Sequence, residues 1–246
     1  MANWLEAEVT RIHWWSDKLF SLVVHAEIAP FKAGQYTKLA LEIGDKRVAR
    51  AYSFVNPPSS NELEFYLIQV DDGALSEAMA KLQPGDNIAI AEQATGYFTL
   101  DEVPNSEQLW MLSTGTAIGP FLSMLQEQEV WQQYQDIVLV HCVRTSEDLS
   151  YQALIKEIQN THPQLKYVPI VTREANSTAL SQRVPELIKN GKLFDHVQLV
   201  ANPEVAQFMI CGNPDMVKDT SQCLADLGYS RNRRRSPGQI TVEQYW

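Results

Sequence analysis

The sequence lacks a disulfide framework and a metal-binding motif. Its 246 residues include only three cysteines, Cys142, Cys211 and Cys223, an odd number without a C-x-x-C pair. This pattern argues against both paired disulfides and a cysteine-ligated iron–sulfur cluster. The five histidines are scattered along the chain without the spacing of metal ligands. We therefore expect no metal.

Long hydrophobic runs and an excess of basic residues are also absent. Residues 1–8 lack the basic and apolar regions of a signal peptide, and no apolar run approaches the ~18 residues of a membrane span. The net charge of -10 and the pI near 5.0 argue against general binding to nucleic acid or to anionic membranes. We expect a cytoplasmic monomer in which any basic patch is local.

The first part of the chain has the pattern of an all-β domain. Short runs rich in β-branched, aromatic and aliphatic residues alternate with turn signals, and one helical pattern covers residues 75–82. The predicted strands are residues 8–13, 19–25, 35–41, 48–55, 63–70 and 87–91. Six strands at this spacing predict a closed antiparallel six-stranded β-barrel, which leaves no free edge.

The second part of the chain alternates strands with helices. Residues 101–107 are polar, contain a proline and separate the two patterns. After them, the predicted strands are residues 108–112, 137–143, 165–171 and 207–211, and helices follow from about 118 and over 151–159, 184–190 and 214–227. This order predicts a doubly wound α/β domain with a parallel sheet. We place the domain boundary between residues 101 and 102, giving domains 1–101 and 102–246.

One tetrapeptide of the predicted barrel combines three kinds of ligand-binding group. Arg50-Ala51-Tyr52-Ser53 provides a cation, a flat aromatic ring and a hydroxyl on a single strand. A ligand with a phosphate and a flat heterocycle would suit this combination. An ordinary edge strand with a surface arginine and a half-buried tyrosine is the alternative.

A glycine turn follows the first strand of the predicted α/β domain. It has the sequence Ser-Thr-Gly-Thr-Ala-Ile-Gly-Pro over residues 113–120 and contains Gly115 and Thr116. The free N–H groups at the helix start favour a pyrophosphate. The turn matches neither G-x-G-x-x-G nor an ATP-binding P-loop. A turn that serves only helix–sheet packing is the alternative.

Three arginines follow strands of the same predicted sheet. Arg144 comes directly after Val143, Arg173 after Thr172, and Arg183 precedes the next helix. Guanidinium groups that meet at the carboxyl edge of the sheet would bind a 2′-phosphate through charge-assisted hydrogen bonds. We therefore predict NADPH in preference to NADH.

The fourth strand ends in a second small-residue turn. Cys211-Gly212-Asn213-Pro214 is followed by Asp215 in the first helical turn. The glycine permits close approach of a flat ring, and proline suits the first position of a helix. Cys211 could contact that ring, whereas a buried structural cysteine is the alternative.

Together with the terminal Tyr245-Trp246, these motifs resemble the ferredoxin–NADP⁺ reductase family, specifically its bacterial flavodoxin/ferredoxin members. The motifs occur in the family's order over essentially the whole chain. The resemblance implies an amino-terminal FAD domain, a carboxy-terminal NADP domain, and hydride transfer between nicotinamide and flavin N5, with single electrons passing to ferredoxin or flavodoxin.

The resemblance also implies a set of site residues. Ser53, Cys211 and Tyr245 would be catalytic, with Tyr52 and Tyr245 on opposite flavin faces, Arg50 on the pyrophosphate and Trp246 stacked on the adenine. The FAD residues would be Arg50, Ala51, Tyr52, Ser53, Tyr66, Leu67, Ile68, Ala74, Leu75, Ser76, Thr116, Tyr245 and Trp246. The NADP residues would be Gly115, Thr116, Val143, Arg144, Thr172, Arg173, Arg183, Cys211, Gly212, Asn213 and Asp215.

One departure from the plant-type pattern concerns proton transfer. Plant-type members carry an acidic residue near the flavin at the carboxyl terminus, whereas this chain ends in Tyr-Trp with Glu243 three residues back. Alternation with Tyr245 along an extended segment is compatible with Glu243 facing the flavin. The proton route is left open, and Glu243 is not counted as catalytic.

The chain has one local basic cluster, Arg231, Arg233, Arg234 and Arg235. Because ferredoxins and flavodoxins are acidic, we expect the cluster to steer such a transient partner toward the flavin. A solvated loop is the alternative. Two rival functions stay open: a flavin or siderophore reductase without a protein partner, and a redox-sensing or nucleotide-binding module without turnover.

Overall fold

A computed structural model describes residues 3–245. The first part forms a six-stranded antiparallel sheet in the order β4-β3-β6-β1-β2-β5. Its strands are β1 (Trp4–Trp14), β2 (Leu19–His25), β3 (Tyr36–Ile43), β4 (Lys46–Ser53), β5 (Leu63–Ile68) and β6 (Asn87–Ala91). Helix α1 (Ala74–Met79) follows β5. The predicted antiparallel fold of this domain is confirmed.

The sheet curls until its two outer strands meet. Phe54, just after β4, forms an antiparallel bridge with Phe65 of β5, and Val55 N donates to Glu64 O at 2.9 Å. Inside the curl, Phe20, Leu39, Phe65 and other apolar side chains are fully buried. Each such side chain stabilises the fold by about 1.5–3 kcal/mol relative to an exposed position. The barrel is therefore held by its core and joined by few edge hydrogen bonds.

The second part forms a five-stranded parallel sheet in the order β11-β10-β7-β8-β9. Its strands are β7 (Gln108–Thr114), β8 (Asp136–Val143), β9 (Leu165–Val171), β10 (Ala206–Gly212) and β11 (Ile240–Gln244). Its helices are α2 (Gly119–Leu125), α3 (Gln128–Gln133), α4 (Gln152–Thr161), α5 (Val184–Lys189), α6 (Lys192–Val197) and α7 (Pro214–Asp226). The predicted doubly wound α/β fold is confirmed.

Two short helices, α3 and α6, are not among the predicted elements. Each has six residues. Residues 115–118 form a 3₁₀ turn, and α2 starts at Gly119. The strand bounds otherwise agree with the predicted runs to within a few residues because alternating or continuous apolar patterns define them.

The two domains share a continuous hydrophobic cluster. Barrel residues Val55 and Tyr66 pack in the same cluster as Phe121 of α2 and Met209 of β10. Ser123 Oγ also donates to the carbonyl of Asn56 across the junction, at 2.7 Å. The ends of β4 and of the parallel strands are therefore held at one fixed junction. Within residues 3–245, no helix is long and apolar enough to cross a membrane.

Candidate functional site

The parallel sheet has its topological switch point between β7 and β10. From β7 the chain moves outward to β8 and β9, and it then crosses back to β10 and β11 on the other side of β7. Open α/β sheets bind ligands at the carboxyl ends of the strands beside such a point. Here those ends carry Gly115 and Gly212, which the sequence analysis predicted as nucleotide-binding residues.

Gly212 has a backbone conformation and surroundings that require glycine. Its φ is +137°, and a Cβ atom would clash with Thr114 Oγ1. Thr114 Oγ1 in turn accepts a hydrogen bond from Asn213 N at 3.0 Å. The ends of β7 and β10 are thus locked together. The Asn213 side chain accepts from Asp215 N and Met216 N, so it caps α7 and has a structural use of its own.

The three residues predicted to be catalytic lie together at this junction. The side chain of Tyr245 forms hydrogen bonds with those of Ser53, at the end of β4, and Cys211, at the end of β10. Tyr245 N donates to Gly212 O at 3.0 Å, which fixes the tail on the end of β10. A barrel strand, a sheet strand and the chain terminus therefore meet at one point.

Glu243 joins this group, although the sequence analysis left its role open. Parallel pairing of β10 and β11 places Glu243 beside Cys211, and the Cys211 thiol donates to Glu243 Oε2 across 3.9 Å. Burial raises the pKa of Glu243 to about 7, against the smaller lowering effect of that hydrogen bond. Burial also raises the pKa of Cys211 and Tyr245 well above their ordinary values. Glu243 is therefore the group here that can exchange a proton near neutral pH.

The strand β4 presents a cation and a ring on the barrel surface. Arg50 is exposed, donates to the carbonyl of its neighbour Ala49 at 2.8 Å, and forms no ion pair with any described residue. Tyr52 is half-buried, and burial raises its pKa to about 12. Ala51 is exposed and Ser53 is buried. An exposed guanidinium without an ion pair to a described residue, two residues from a half-buried ring, fits a ligand with a phosphate and a flat ring system.

The strand β5 offers backbone groups beside β4. Glu64 accepts from Val55 N, so its backbone faces the β4 side. Because backbone directions alternate, those of Tyr66 and Ile68 point the same way. Tyr66 adjoins the Phe54–Phe65 bridge to the end of β4, whereas Ile68 lies beyond that bridge and pairs with no described strand on that side. The Tyr66 hydroxyl is bonded to Ser150 at 2.6 Å, and Leu67 fills the barrel core. This open edge fits the polar rim of a flat heterocycle.

The start of α1 follows β5 and carries Ala74, Leu75 and Ser76. Ser76 Oγ accepts from Val70 N at 3.1 Å and donates to Gly73 O at 3.0 Å, while Leu75 is buried in the barrel core. The side chains of Leu75 and Ser76 are therefore used within the protein. What this segment can offer a phosphate is backbone N–H groups.

The predicted 2′-phosphate residues lie on adjacent loops. Thr172 N donates to Val143 O at 3.1 Å and Arg173 N donates to Arg144 O at 2.8 Å, so the ends of β8 and β9 run side by side. Burial raises the pKa of the Cys142 thiol to about 11, and the charge of Arg183, just before α5, opposes this rise, so Arg183 lies near the end of β8. The three arginines are exposed, and none is ion-paired with a described residue.

The turn after β7 is supported from beneath by a histidine that the sequence analysis did not single out. His141 is completely buried, and its Nε2 lies 3.2 Å from Gly115 O. Burial lowers its pKa to about 4, so it is neutral and its Nε2–H can donate to the carbonyl. Thr116 is buried within the 3₁₀ turn. No sequence signal identifies His141, because its strand is uniformly apolar elsewhere.

The basic cluster lies far from Tyr245. Arg231 forms a bridge with Ile240, at the amino end of β11, whereas Tyr245 follows its carboxyl end. At about 3.3 Å per residue, five residues of strand separate the two ends by roughly 16 Å. The four arginines are exposed, and none is ion-paired within residues 3–245. The basic cluster is therefore close to Tyr245 in the sequence but not in space. Trp246 lies outside the described residues.

Comparison with known proteins gives concordant results for both domains. The model described as "Oxidoreductase FAD-binding domain" matches residues 12–100, and "Oxidoreductase NAD-binding domain" matches residues 111–222. A flavodoxin/ferredoxin–NADP reductase from Escherichia coli (strain K12) is 47% identical over 100% of both chains. A ferredoxin–NADP reductase from Pseudomonas aeruginosa is 34% identical over 99% of this chain and 98% of the relative.

Among solved structures, a ferredoxin NADP⁺ reductase from Neisseria gonorrhoeae with bound FAD and NADP is similar to this chain. It has a TM-score of 0.94 and 36% identity, and the match covers 99% of both chains. A Plasmodium falciparum ferredoxin–NADP⁺ reductase, at 19% identity, covers 99% of this chain and 97% of its own, with a TM-score of 0.73. That second likeness shows the fold alone.

Proposed function

The chain belongs to the flavodoxin/ferredoxin–NADP reductase family and is an oxidoreductase that uses FAD and NADP(H), and we propose that Ser53, Cys211, Glu243 and Tyr245 form its reaction centre. FAD supplies the chemistry, because it exchanges hydride with NADP(H) and single electrons with ferredoxin or flavodoxin. The observation that carries the proposal is the meeting of these four side chains from β4, β10, β11 and the tail. The protein's own task is to bind, to orient and to hold a proton.

On the barrel side, we propose that β4 and β5 hold FAD. Arg50 neutralises the pyrophosphate, with backbone N–H groups at residues 74–76 beside it, and Tyr52 covers one face of the flavin. The backbone edge of β5 from Tyr66 to Ile68 binds the polar rim. Two features support this assignment: the exposed guanidinium of Arg50, which has no ion pair with a described residue, and the edge of β5 beyond its bridge to Phe54.

On the sheet side, we propose that NADP(H) binds across the carboxyl ends of β7, β8, β9 and β10. Gly115, Thr116, Gly212 and the start of α7 at Asn213 and Asp215 receive the nicotinamide half. The loops that begin after Val143 and Thr172 carry Arg144 and Arg173, and with Arg183 they receive the 2′-phosphate. The assignment is supported by the switch point and by three exposed guanidinium groups that have no ion pair with any described residue.

Two groups of the reaction centre have distinct tasks. Glu243 holds a proton on its carboxylate, since its pKa is raised to about 7, and Cys211 links it to Ser53 through Tyr245. Tyr245 lies on the end of β10 and contacts Ser53, so a nicotinamide that approaches Ser53 from the sheet must displace it. Tyr245 thus serves as a movable cover, and Trp246 is proposed to stack on the adenine of FAD.

The redox partner is of the ferredoxin or flavodoxin kind that the relatives' names state. We propose a transient, acidic partner that is attracted by the basic cluster Arg231, Arg233, Arg234 and Arg235. The cluster acts at long range, because it lies at the end of β11 away from Tyr245. We also propose a monomer in the cytoplasm; three free cysteines suit a reducing compartment. A boundary between residues 101 and 102 fits family matches that end at 100 and begin at 111.

Anaerobic stopped-flow reduction of the FAD-loaded protein by NADPH tests the reaction centre. We expect rapid bleaching of the flavin in the wild type and roughly hundredfold slower bleaching in Cys211→Ala. The reason is that, in the proposed arrangement, the Cys211 side chain contacts both the nicotinamide and Glu243 and helps to position them. Cys223→Ala, in α7 and away from the junction, is the matched control and should reduce normally. Equal rates in Cys211→Ala and wild type would contradict the assignment.

A further inference from the structure

An acidic residue lies on the same loops as two of the arginines proposed to bind the 2′-phosphate. Glu174 directly follows Arg173, and its Oε1 accepts hydrogen bonds from Ser146 N, at 2.7 Å, and from Ser146 Oγ. Ser146 lies two residues after Arg144 and also receives a hydrogen bond from Asn176 Nδ2 at 2.6 Å. A carboxylate therefore occupies two converging donors beside the arginine loops.

Glu174 binds these neutral donors and not a guanidinium group. Within the part of the chain that is described, Glu174 forms no ion pair with Arg144, Arg173 or any other cation. The hydrogen bonds from Ser146 lower the pKa of Glu174, so it is charged at neutral pH. The loop thus holds one fixed anion, and its arginines stay open to a second.

A phosphate monoester would need the same donors. It carries about -1.5 to -2 charges at pH 7 and has three acceptor oxygens. Two arginines and the N–H and hydroxyl of Ser146 can satisfy those oxygens, but only after the Glu174 carboxylate leaves Ser146. If the carboxylate stayed, its charge would repel the phosphate.

From this geometry we infer that Glu174 is a specificity-determining residue that occupies the Ser146 donors and yields them to the 2′-phosphate when NADP(H) binds. The inference rests on the proposed function, which assigns the 2′-phosphate to Arg144, Arg173 and Arg183. Its consequence is a weaker preference for phosphorylated cofactor than the three arginines alone would produce.

Calorimetric titration of the FAD-loaded protein separates this effect from catalysis. The probes are adenosine 2′,5′-bisphosphate and adenosine 5′-monophosphate, which differ only in the 2′-phosphate. We expect Glu174→Gln to raise the affinity for the bisphosphate by about threefold to fivefold, which is the scale of an exposed charge interaction. The affinity for the monophosphate should change by less than about twofold. Glu147→Gln is the matched control, since Glu147 is exposed on the same loop and has no hydrogen bond to Ser146.

A double variant tests whether the effect passes through Ser146. Ser146→Ala should weaken the bisphosphate and remove most of the gain from Glu174→Gln, because Ser146 is the shared partner. Unchanged bisphosphate affinity in Glu174→Gln, or the same gain in Glu147→Gln, would overturn the inference.

The underlying assignment has a separate readout. Arg144→Ala should abolish the preference of the wild type for the bisphosphate over the monophosphate. Loss of the preference in Arg144→Ala with no effect of Glu174→Gln would overturn only the role of Glu174. A wild type without any preference would overturn the 2′-phosphate assignment and the inference together. Flavin absorbance and far-UV circular dichroism verify folding of each variant.

Discussion

The two domains present their ligand-binding groups in different ways. In the barrel, Arg50, Tyr52 and Ser53 belong to one strand that is paired along its length with β3. In the α/β domain, Arg144 and Arg173 lie on loops just after the strands. A strand fixes its side chains, whereas loops at strand ends can adjust. The barrel is thus suited to a cofactor that stays bound, and the sheet edge to one that exchanges.

The strands next to the binding sites also differ in how far their side chains are buried. All seven residues of β10 are buried, while β4 has exposed residues at Arg50 and Ala51. In a parallel strand that is covered by helices on both faces, the side chains are packed inside the protein and cannot contact a ligand. Its binding groups must therefore come from its ends, whereas a half-exposed barrel strand can bind through its outer face.

The largest expected effect is at the rigid end of β10. Gly212→Ala should destabilise the protein by about 3–5 kcal/mol and abolish NADPH binding, because Cβ would clash with Thr114 in a backbone conformation reserved for glycine. Gly44→Ala, in the β3–β4 turn with φ +61° and open space around it, should cost only about 1–2 kcal/mol. Urea unfolding and NADPH titration measure both variants. Equal costs would show that the sheet edge is no more constrained than a barrel turn.

A second effect concerns the pH dependence of stability. Because the folded-state pKa of Glu243 is raised from 4.5 to about 7, the folded protein binds a proton that the unfolded chain releases. Stability should therefore fall by up to about 3 kcal/mol as the pH rises from about 4.5 to 7. Glu243→Gln should remove this loss, so the variant gains stability relative to wild type at pH 8. Urea unfolding at pH 5 and pH 8 measures this difference in stability. If stability depended on pH equally in Glu243→Gln and in the wild type, the raised pKa of Glu243 would be contradicted.

A third prediction separates the barrel site from the sheet site. Arg50→Gln should weaken FAD binding by about 1.5–3 kcal/mol, the contribution of hydrogen bonds to a charged group, and leave adenosine 2′,5′-bisphosphate binding unchanged. The matched control is Arg47→Gln, three residues earlier on β4, where the guanidinium pairs with Glu42 and lies over Trp4. Fluorescence titration with FAD measures both; similar losses in the two variants would rule out a special role for Arg50.

The smallest expected effect is that of substitutions in the basic cluster, near the amino end of β11. Charge reversal in Arg233→Glu/Arg235→Glu should slow association with an acidic flavodoxin by about threefold to tenfold at low salt, and should have no effect at high salt, where charges are screened. Reduction of a small neutral dye by NADPH should be unchanged. Stopped-flow measurements over a salt series test this. A salt dependence identical to the wild type would exclude the cluster from partner steering.

Much of the site could be predicted because its residues lie in local motifs. Arg50, Tyr52 and Ser53 are adjacent on one strand, and Gly212 directly follows Cys211, so a short stretch of sequence carries their spacing. Glu243 is different, because its proximity to Cys211 depends on the pairing of strands 32 residues apart. The link between Glu174 and Ser146 likewise joins loops that are 28 residues apart.

The sequence by itself determined the two domain types and the order of most strands and helices, because apolar periodicity is a local property. The ordered motifs, through their resemblance to the ferredoxin–NADP⁺ reductase family, implied the cofactors. Only the tertiary structure decided that Glu243 is half-buried with a pKa near 7, that Glu174 occupies Ser146, and that Arg231 lies at the end of β11 opposite Tyr245. The physical reason is that burial and strand register depend on distant segments. A local pattern does not encode which distant segments will meet.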